Sequence, residues 1–360
     1  MSKRIRIKDI AEKAGVSTGT VDRVIHNRGN VSKRVKEKVL KVMEELQYEP
    51  NIIASMLAYN RTFRVVTLLP DFTMDLYWAQ PKLGIERALE AVRHYGITHE
   101  AYYFNVLQPE TFLQQFDLLF QDPPDAILFA PIFLQESIEL LKECENRNIP
   151  IALINTNIRD LKALCYVGQD SYQSGILAGK LLNFGLNHQD AAMLLNMGEE
   201  TANAQHMIDK ENGFRDYFSK QKEKQIQIVK AEFGDYQNQK ALQAFLTTQF
   251  EEFPNLKGIF VVNSRAFVVI DILPEALLKS VKIVGFDLIA PNLKYLREDK
   301  ISFLINQNPV QQGYLALINI VKQLVFKQSP ERMQYLPLDI VVTENVDYYL
   351  KREREFEVVV

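Results

Sequence analysis

Apolar positions along this chain follow two rhythms. In the first fifty residues they recur at helical spacing in short bursts. Ile7, Ile10, Ala11 and Ala14 fall at i, i+3, i+4 and i+7, which is one face of a helix. Gly15-Val16 then predicts a turn, because glycine adopts a positive φ cheaply. Ser17 is a suitable N-cap for a second helix, Thr18–Ile25. Asn27-Arg28-Gly29-Asn30 breaks that helix, and Ser32 can cap a third over 33–46, with the stripe Val35, Val39, Val42, Met43 and Leu46. Two short helices joined by a tight turn, with a third beneath them, form a helix-turn-helix unit.

From Arg64 onward the rhythm changes. Short continuous apolar runs stand at 65–69, 99–103, 126–130, 151–154, 163–167, 191–196, 226–232, 258–262, 282–286 and 301–306. Such runs suit strands buried on both faces. Helical patterns lie between them at 81–94, 109–120, 134–147, 174–184, 210–219 and 237–250. Regular alternation of strand and helix predicts parallel sheets covered by helices. Ten strands exceed one comfortable sheet, so the economical fold is an α/β body of two doubly wound parallel-sheet subdomains with a ligand cleft between them. The expected organisation is a small all-α helix-turn-helix headpiece at 1–49, a connector with helical spacing at 50–63, the body at 64–347 and a tail at 348–360. Within the body, one subdomain is expected at about 64–160 and 289–325, the other at about 161–288 and 326–347. The sequence shows no internal repeat and no low-complexity segment.

Charge sharpens the division. The first 64 residues hold 14 Lys and Arg against 7 Asp and Glu, while the rest holds 28 against 38. A basic module on an acidic body is the footprint of a nucleic-acid binder with a second, different domain; a solvated basic arm would carry the same charge. Two cysteines, Cys144 and Cys165, make neither a disulfide framework nor a metal spacing. The start lacks the apolar stretch of a signal peptide, and no apolar run approaches the roughly 18 residues of a membrane span. A cytoplasmic protein is expected.

The wording of the headpiece resembles the LacI/GalR repressor family. The residues that carry the resemblance are Ile7-Lys8-Asp9-Ile10-Ala11, Ala14-Gly15-Val16-Ser17, Thr20-Val21, Arg23-Val24, Val31-Ser32, Glu44, Leu46, Tyr48, Pro50-Asn51, Ala54, Leu57 and Ala58. The resemblance implies that Thr18, Gly19 and Arg23 face base edges, where arginine is the natural partner of guanine. It places Ser17, Thr20, Asn27, Ser32, Lys33 and Arg34 against phosphates. Gly19 stands where a reading side chain is common, and Asp22 replaces a usual serine. The segment 50–59 resembles the family's hinge helix, whose Asn51, Ala54 and Leu57 would enter the minor groove, with Leu57 wedged between base pairs. A segment of about ten residues is marginal as an isolated helix, so it should order when two copies meet on DNA.

The body resembles, in pattern and punctuation, the type I periplasmic-binding-protein fold that the family uses as its sensor. The residues are Gly84 behind Leu76-Tyr77-Trp78, Gly168-Gln169-Asp170 with Gly175, Lys210 ahead of Gly213-Phe214, Asn263-Ser264, Gly285-Phe286-Asp287 and Gln307-Asn308-Pro309 with Gly313. Most lie just after strands, where open α/β sheets bind ligands. A sugar site needs an aromatic platform and a ring of polar groups. Tyr77 and Trp78 are the candidate platform, and Asn155, Asp170, Lys210, Asn263, Arg265, Asp287 and Gln307 the polar candidates. Lys210 and Arg265 stand where relatives commonly carry arginine and an acid, which would favour an anionic ligand such as a uronic acid or a sugar phosphate.

No phosphate-binding glycine loop, GxSxG, HExxH or dinucleotide fingerprint occurs, and the five histidines are scattered. The expected function is therefore a non-enzymatic, homodimeric, ligand-responsive transcription regulator of carbohydrate genes, binding pseudo-palindromic operator DNA, with a sugar-like effector, no cofactor, no metal and no membrane partner. A regulator with a non-sugar effector or a protein-controlled pocket, and an enzyme on the same scaffold, are the alternatives.

Overall fold

A computed structural model of the chain describes residues 5–25, 31–46, 62–158, 161–198, 205–221 and 223–354. The chain separates into two compact units, Met1–Arg61 and Thr62–Val360. The candidates Asn27, Asn51, Ala54 and Leu57, and the hinge segment to which the last three belong, lie outside the described residues.

The first unit contains α1 (Ile7–Ala14), α2 (Thr18–Ile25) and α3 (Lys33–Glu45). Gly15 ends α1 in the left-handed region at φ 62°, and its N–H returns to the carbonyls of Ala11 and Glu12, a closure that glycine makes without steric cost. Ser17 Oγ accepts from Thr20 N at 3.1 Å, so it caps α2 as expected. Ser32 occupies the N-cap position of α3 without a side-chain bond. Ile10, Ala11, Ala14, Val21, Val24, Val39 and Val42 form the core of this unit. Lys13 and Glu45 pair at 2.8 Å and tie α1 to the end of α3.

The second unit holds two six-stranded sheets. Its elements begin β1 (Phe63–Pro70), α4 (Ala79–Ala91), β2 (Ile97–Phe104), α5 (Pro109–Gln121), β3 (Ala126–Phe129), α6 (Leu134–Asn146), β4 (Ile151–Ile154) and β5 (Cys165–Gly168). They continue α7 (Ser171–Asn183), β6 (Ala191–Met197), α8 (Gln205–Ser219), β7 (Gln227–Phe233), α9 (Gln239–Glu252), β8 (Leu256–Val261), α10 (Ala266–Ile272), α11 (Glu275–Leu278), β9 (Lys282–Phe286), α12 (Ala290–Arg297) and β10 (Phe303–Asn306). Last come α13 (Pro309–Leu324), β11 (Met333–Tyr335), β12 (Asp339–Val341) and α14 (Val346–Arg354). One sheet runs β11-β5-β4-β3-β1-β2 and the other β12-β10-β9-β8-β6-β7. All pairings are parallel except β10 with β12. Both halves share the order 2-1-3-4-5, so the body repeats itself in topology although its sequence shows no repeat.

The ten expected strands are all present, and β11 and β12 are additional. The expected subdomain limits need correction. β5 pairs with β4, Ala152 opposite Cys165, so the chain crosses to the second half after Gly168 and not at 161. The stretch expected to return at 289 does not. Asn292 of α12 accepts from Phe267 N at 3.0 Å in the second half, and β10 lies in the second sheet. The return comes at Gln307-Asn308, after which α13 packs on α4 and on the first sheet. The stretch 326–347 is shared, with β11 in the first sheet and β12 in the second. What was expected as a tail from 348 begins instead with α14.

In each half two helices cross at paired glycines. A Cβ on Gly84 of α4 would lie 1.9 Å from Val310 O, and one on Gly313 of α13 would lie 2.1 Å from Pro81 O. In the second half, Gly175 of α7 and Gly213 of α8 play the same part against Lys210 O and Tyr172 O, each at 2.0 Å. Backbone-on-backbone approach of this kind sets the depth at which α8 sits, and so the position of Lys210.

Candidate ligand cleft and DNA-reading face

The cleft is built from strand ends. Its lining follows β1, β2, β3 and β4 in the first half and β6, β8, β9 and β10 in the second, at the strand ends where doubly wound sheets place their ligands. The first half contributes Asp75, Tyr77, Trp78, Val106, Ile132 and Asn155; the second contributes His206, Met207, Lys210, Asn263, Ser264, Arg265 and Asp287; and Gln307 comes from the crossing segment. They enclose about 50 Å³, room for roughly four waters at about 10–15 Å³ each.

Eight of the nine expected ligand residues meet here. Tyr77 and Trp78 form one wall, rings edge to face at 4.9 Å. Tyr77 OH accepts from Asn155 Nδ2 at 2.9 Å, and Asn155 N donates to Gln312 Oε1 at 3.0 Å. Asn155 and Asp287 both have positive φ, 64° and 68°. Asn and Asp tolerate that region better than other non-glycine residues, and strained backbone of this kind gathers at functional sites. Asp170 is the exception: its side chain accepts from Gln173 N at 3.0 Å and caps α7, and it does not line the cavity. Its place after a strand made it resemble a ligand group, but the helix start uses it.

Lys210 is 1% exposed. Its Nζ donates to Val262 O at 3.0 Å and stands 3.7 Å from the centre of the Phe286 ring. Gln307 Nε2 donates to the Asp287 carboxylate, shared between Oδ1 at 3.0 Å and Oδ2 at 2.9 Å. Burial pushes the Asp287 carboxyl up and the Lys210 ammonium down, and the attraction between the two opposes both shifts. His206 Nδ1 lies 2.7 Å from Thr156 Oγ1. Burial, with Lys210 beside it, pushes its imidazole down to about 3, so it is neutral. Burial also holds the Tyr77 hydroxyl well above the ordinary range, with the Asp287 charge adding to it.

Arg265 is held from several sides. It donates to Met197 O at 2.6 Å, covers the Tyr236 ring at 4.2 Å, and pairs with Asp75 Oδ2 at 3.1 Å. Asp75, His206 and Met207 had no signal in the sequence beyond their residue type. Behind the cleft, Gln169 Nε2 donates to Gln307 Oε1 at 2.6 Å, and Asn308 Nδ2 donates to Pro337 O at 2.8 Å. These bonds join the three strands of chain that cross between the halves.

On the first unit, Ser17, Thr18, Gly19 and Arg23 are exposed, as are Ser32, Lys33 and Arg34, and Thr20 is half-buried. Val21 and Val24 turn into the core. Gly19 and Arg23 stand one turn apart, so α2 offers solvent a face with one basic fork. Among the described residues no cluster of His, Cys, Asp and Glu could hold a metal, and no helix is long and apolar enough to cross a membrane.

Residues 6–51 match the family described as bacterial regulatory proteins, lacI family, and residues 65–328 match the periplasmic binding protein domain. The chain belongs to the LacI family of bacterial regulators. The HTH-type transcriptional regulator DegA of Bacillus subtilis is 34% identical over 196 residues, 54% of this chain and 56% of that protein. The ribose operon repressor of Halalkalibacterium halodurans is 26% identical over 354 residues, 94% and 96% of the two chains. The LacI-type headpiece and binding-protein body are thus joined as in a full-length relative, although the match to DegA spans only about half that protein. These relatives are regulators, in line with a chain that is not an enzyme. In fold, the body is similar to a crystal structure from Bacteroides fragilis assigned to the LacI transcriptional regulators, with TM-score 0.74, 24% identity, 80% of this chain and 100% of that one. It is also similar to a Burkholderia graminis transporter solute binding protein in complex with D-arabinose, with TM-score 0.70, 19% identity, 79% and 96%.

Proposed function

We propose that this LacI-family chain is a cytoplasmic homodimer that binds pseudo-palindromic operator DNA and releases or grips it in response to a sugar-like effector in the cleft. The observation that carries this reading is the pairing of a basic headpiece, whose α2 turns Arg23 to solvent, with a polar, aromatic-walled cleft in a separate unit of the same chain. Thr18, Gly19 and Arg23 read base edges, with Arg23 on a guanine. Ser17, Thr20, Asn27, Ser32, Lys33 and Arg34 hold phosphates. Asn51, Ala54 and Leu57 enter the minor groove. Tyr77 and Trp78 cover the apolar face of the sugar, while Asn155, Lys210, Asn263, Arg265, Asp287 and Gln307 take its polar groups. A relative named for the ribose operon and a fold neighbour holding D-arabinose support a carbohydrate ligand.

Ligand changes the angle between the halves through the three crossing strands, and linkage makes its effect on DNA affinity reciprocal. The test is selection of bound duplexes from a random-sequence pool by the full chain. Enrichment of a two-fold repeat, lost with Arg23→Ala, supports the reading. Recovery of unselected sequences with no preference removes it.

A further inference from the structure

The two walls of the cleft differ in chemistry. In the first half, adjacent strands run β4, β3, β1, β2, and the residues that follow them into the cleft are Asn155, then Ile132, then Tyr77 with Trp78, then Val106. Three of these four strand ends present an apolar or aromatic side chain, and Ile132 and Val106 are each 5% exposed. The polar groups of this wall are engaged within the protein. Asp75 accepts from Tyr77 N at 3.1 Å and meets Arg265 across the gap. Asn155 donates to Tyr77 OH at 2.9 Å and accepts from Thr156 Oγ1 at 3.2 Å. In the second half every strand end carries hydrogen-bonding groups: Lys210 on the helix after β6, Asn263 after β8, Asp287 after β9 and Gln307 after β10. Among the residues lining that wall only Met207 is apolar.

The charges of the lining cancel. Arg265 pairs with Asp75 at 3.1 Å, and Asp287 stands close enough to Lys210 for each to shift the other's proton affinity. With His206 neutral, the lining has no net charge, whether the Lys210–Asp287 pair is ionised or has passed its proton across. The acidic effector that Lys210 and Arg265 suggest in the sequence is therefore not what the folded cleft asks for. We propose that the effector is a neutral 6-deoxyhexose, with its ring hydroxyls on the second wall and its methyl group against the aliphatic part of the first, Val106 and Ile132. This rests on the reading that the cleft binds a sugar. About 50 Å³ is less than any hexose fills, so the halves part to admit one, and each wall then meets a different edge of its ring. A hydroxymethyl group turned to Val106 or Ile132 would bury its oxygen without a partner, at the full cost of stripping its water. A methyl group in the same place removes apolar surface from water and leaves no polar atom unpaired. A pentose has no carbon to place there, so the wall loses its contacts.

Calorimetry and thermal melting of the full chain test this with L-fucose, L-rhamnose and 6-deoxy-D-glucose. Each is measured beside the hexose of the same ring stereochemistry and the pentose that lacks C6. One 6-deoxyhexose should bind at least about tenfold more tightly than both its partners, the order of discrimination that one methylene or hydroxyl against an apolar wall supplies. Val106→Thr and Ile132→Thr put a hydroxyl on that wall. One of them should narrow the preference over the hexose by about threefold or more, the worth of one hydrogen bond. A hexose or pentose that binds as tightly as its 6-deoxy partner, or a preference that neither variant narrows, overturns the proposal and leaves the cleft a sugar site. D-galacturonate and D-glucose 6-phosphate are measured in the same way, and tighter binding of either than of every neutral sugar overturns the proposal through its charge argument. Silence across all of these sugars overturns the proposal and the sugar reading together; the DNA selection stands apart from either. Should a threonine variant melt far below wild type, Val106→Ala or Ile132→Val takes its place. With carbon removed from the wall, the 6-deoxyhexose must lose affinity and the pentose must not.

Discussion

Replacing Gly175 with alanine probes the contact that sets the depth of the cleft's second wall. The added Cβ would stand 2.0 Å from Lys210 O and 2.9 Å from Phe214 N. Both are backbone atoms of α8, so no side chain can swing aside and one helix must retreat by more than an ångström. Overpacking of this kind costs roughly 1–3 kcal/mol and sometimes more, and alanine's better helix propensity returns about 1 kcal/mol. Because the clash is backbone on backbone, a net loss of about 2 kcal/mol is expected. For a body of this size that lowers Tm by roughly 4–8 °C. The same retreat pulls on the Lys210 Nζ–Val262 O bond, so ligand affinity should fall with stability. Urea unfolding followed by tryptophan fluorescence reports on the body, because Trp78 is the chain's single tryptophan and is 3% exposed. Gly19→Ala is the control: its nearest neighbour is Ser17 Oγ at 3.8 Å, and it should leave this transition unmoved. A Gly175→Ala body within about 0.5 kcal/mol of wild type would show that the helices are not fixed by this crossing.

Other outcomes follow from the same geometry. His206 has its folded value at about 3 against an ordinary 6.5, so between those values the folded state binds fewer protons than the unfolded one. Its contribution is complete above pH 6.5 and is lost as pH falls, by up to about 1.4 kcal/mol per pH unit; His206→Gln should flatten stability against pH there, and parallel curves would refute this. Gln307→Met removes the Nε2 donor from Asp287 and should cost about 1–3 kcal/mol, read by chemical denaturation. Arg23→Ala should weaken binding to a selected duplex by about 1–3 kcal/mol and relax preference at one base pair, whereas Lys33→Ala should weaken all sequences alike and lower the salt slope by about one.

What was legible in the sequence follows from what periodicity can carry. Buried parallel strands are continuous apolar runs, and all ten were visible. β11 (Met-Gln-Tyr) and β12 (Asp-Ile-Val) are short, mixed edge strands that carry no such run. α13 escaped for the opposite reason: Val310, Tyr314, Ala316, Leu317, Ile320, Val321 and Leu324 are buried together with Gln312 and Asn319, so it has no polar face to give it a helical stripe. A strand's own residues do not say which sheet accepts it, and this is why the limits between the halves were misplaced at β5, α12 and β10. In the cleft, residues that follow strands were readable from topology. Asp170 satisfied that rule and proved to be a cap. Asp75 looked like a turn residue, and only folding brings it, 190 positions away in sequence, to Arg265.

The account's central claim is that the cleft and the headpiece are coupled. It is tested most directly by titrating a selected duplex with the full chain, with and without the one sugar that raises its melting temperature. The account predicts that the sugar changes DNA affinity by at least about fivefold, and that the duplex changes sugar affinity by the same factor. Equal DNA affinity at saturating sugar would contradict it, leaving a DNA-binding unit and a sugar-binding unit that share a chain without communicating.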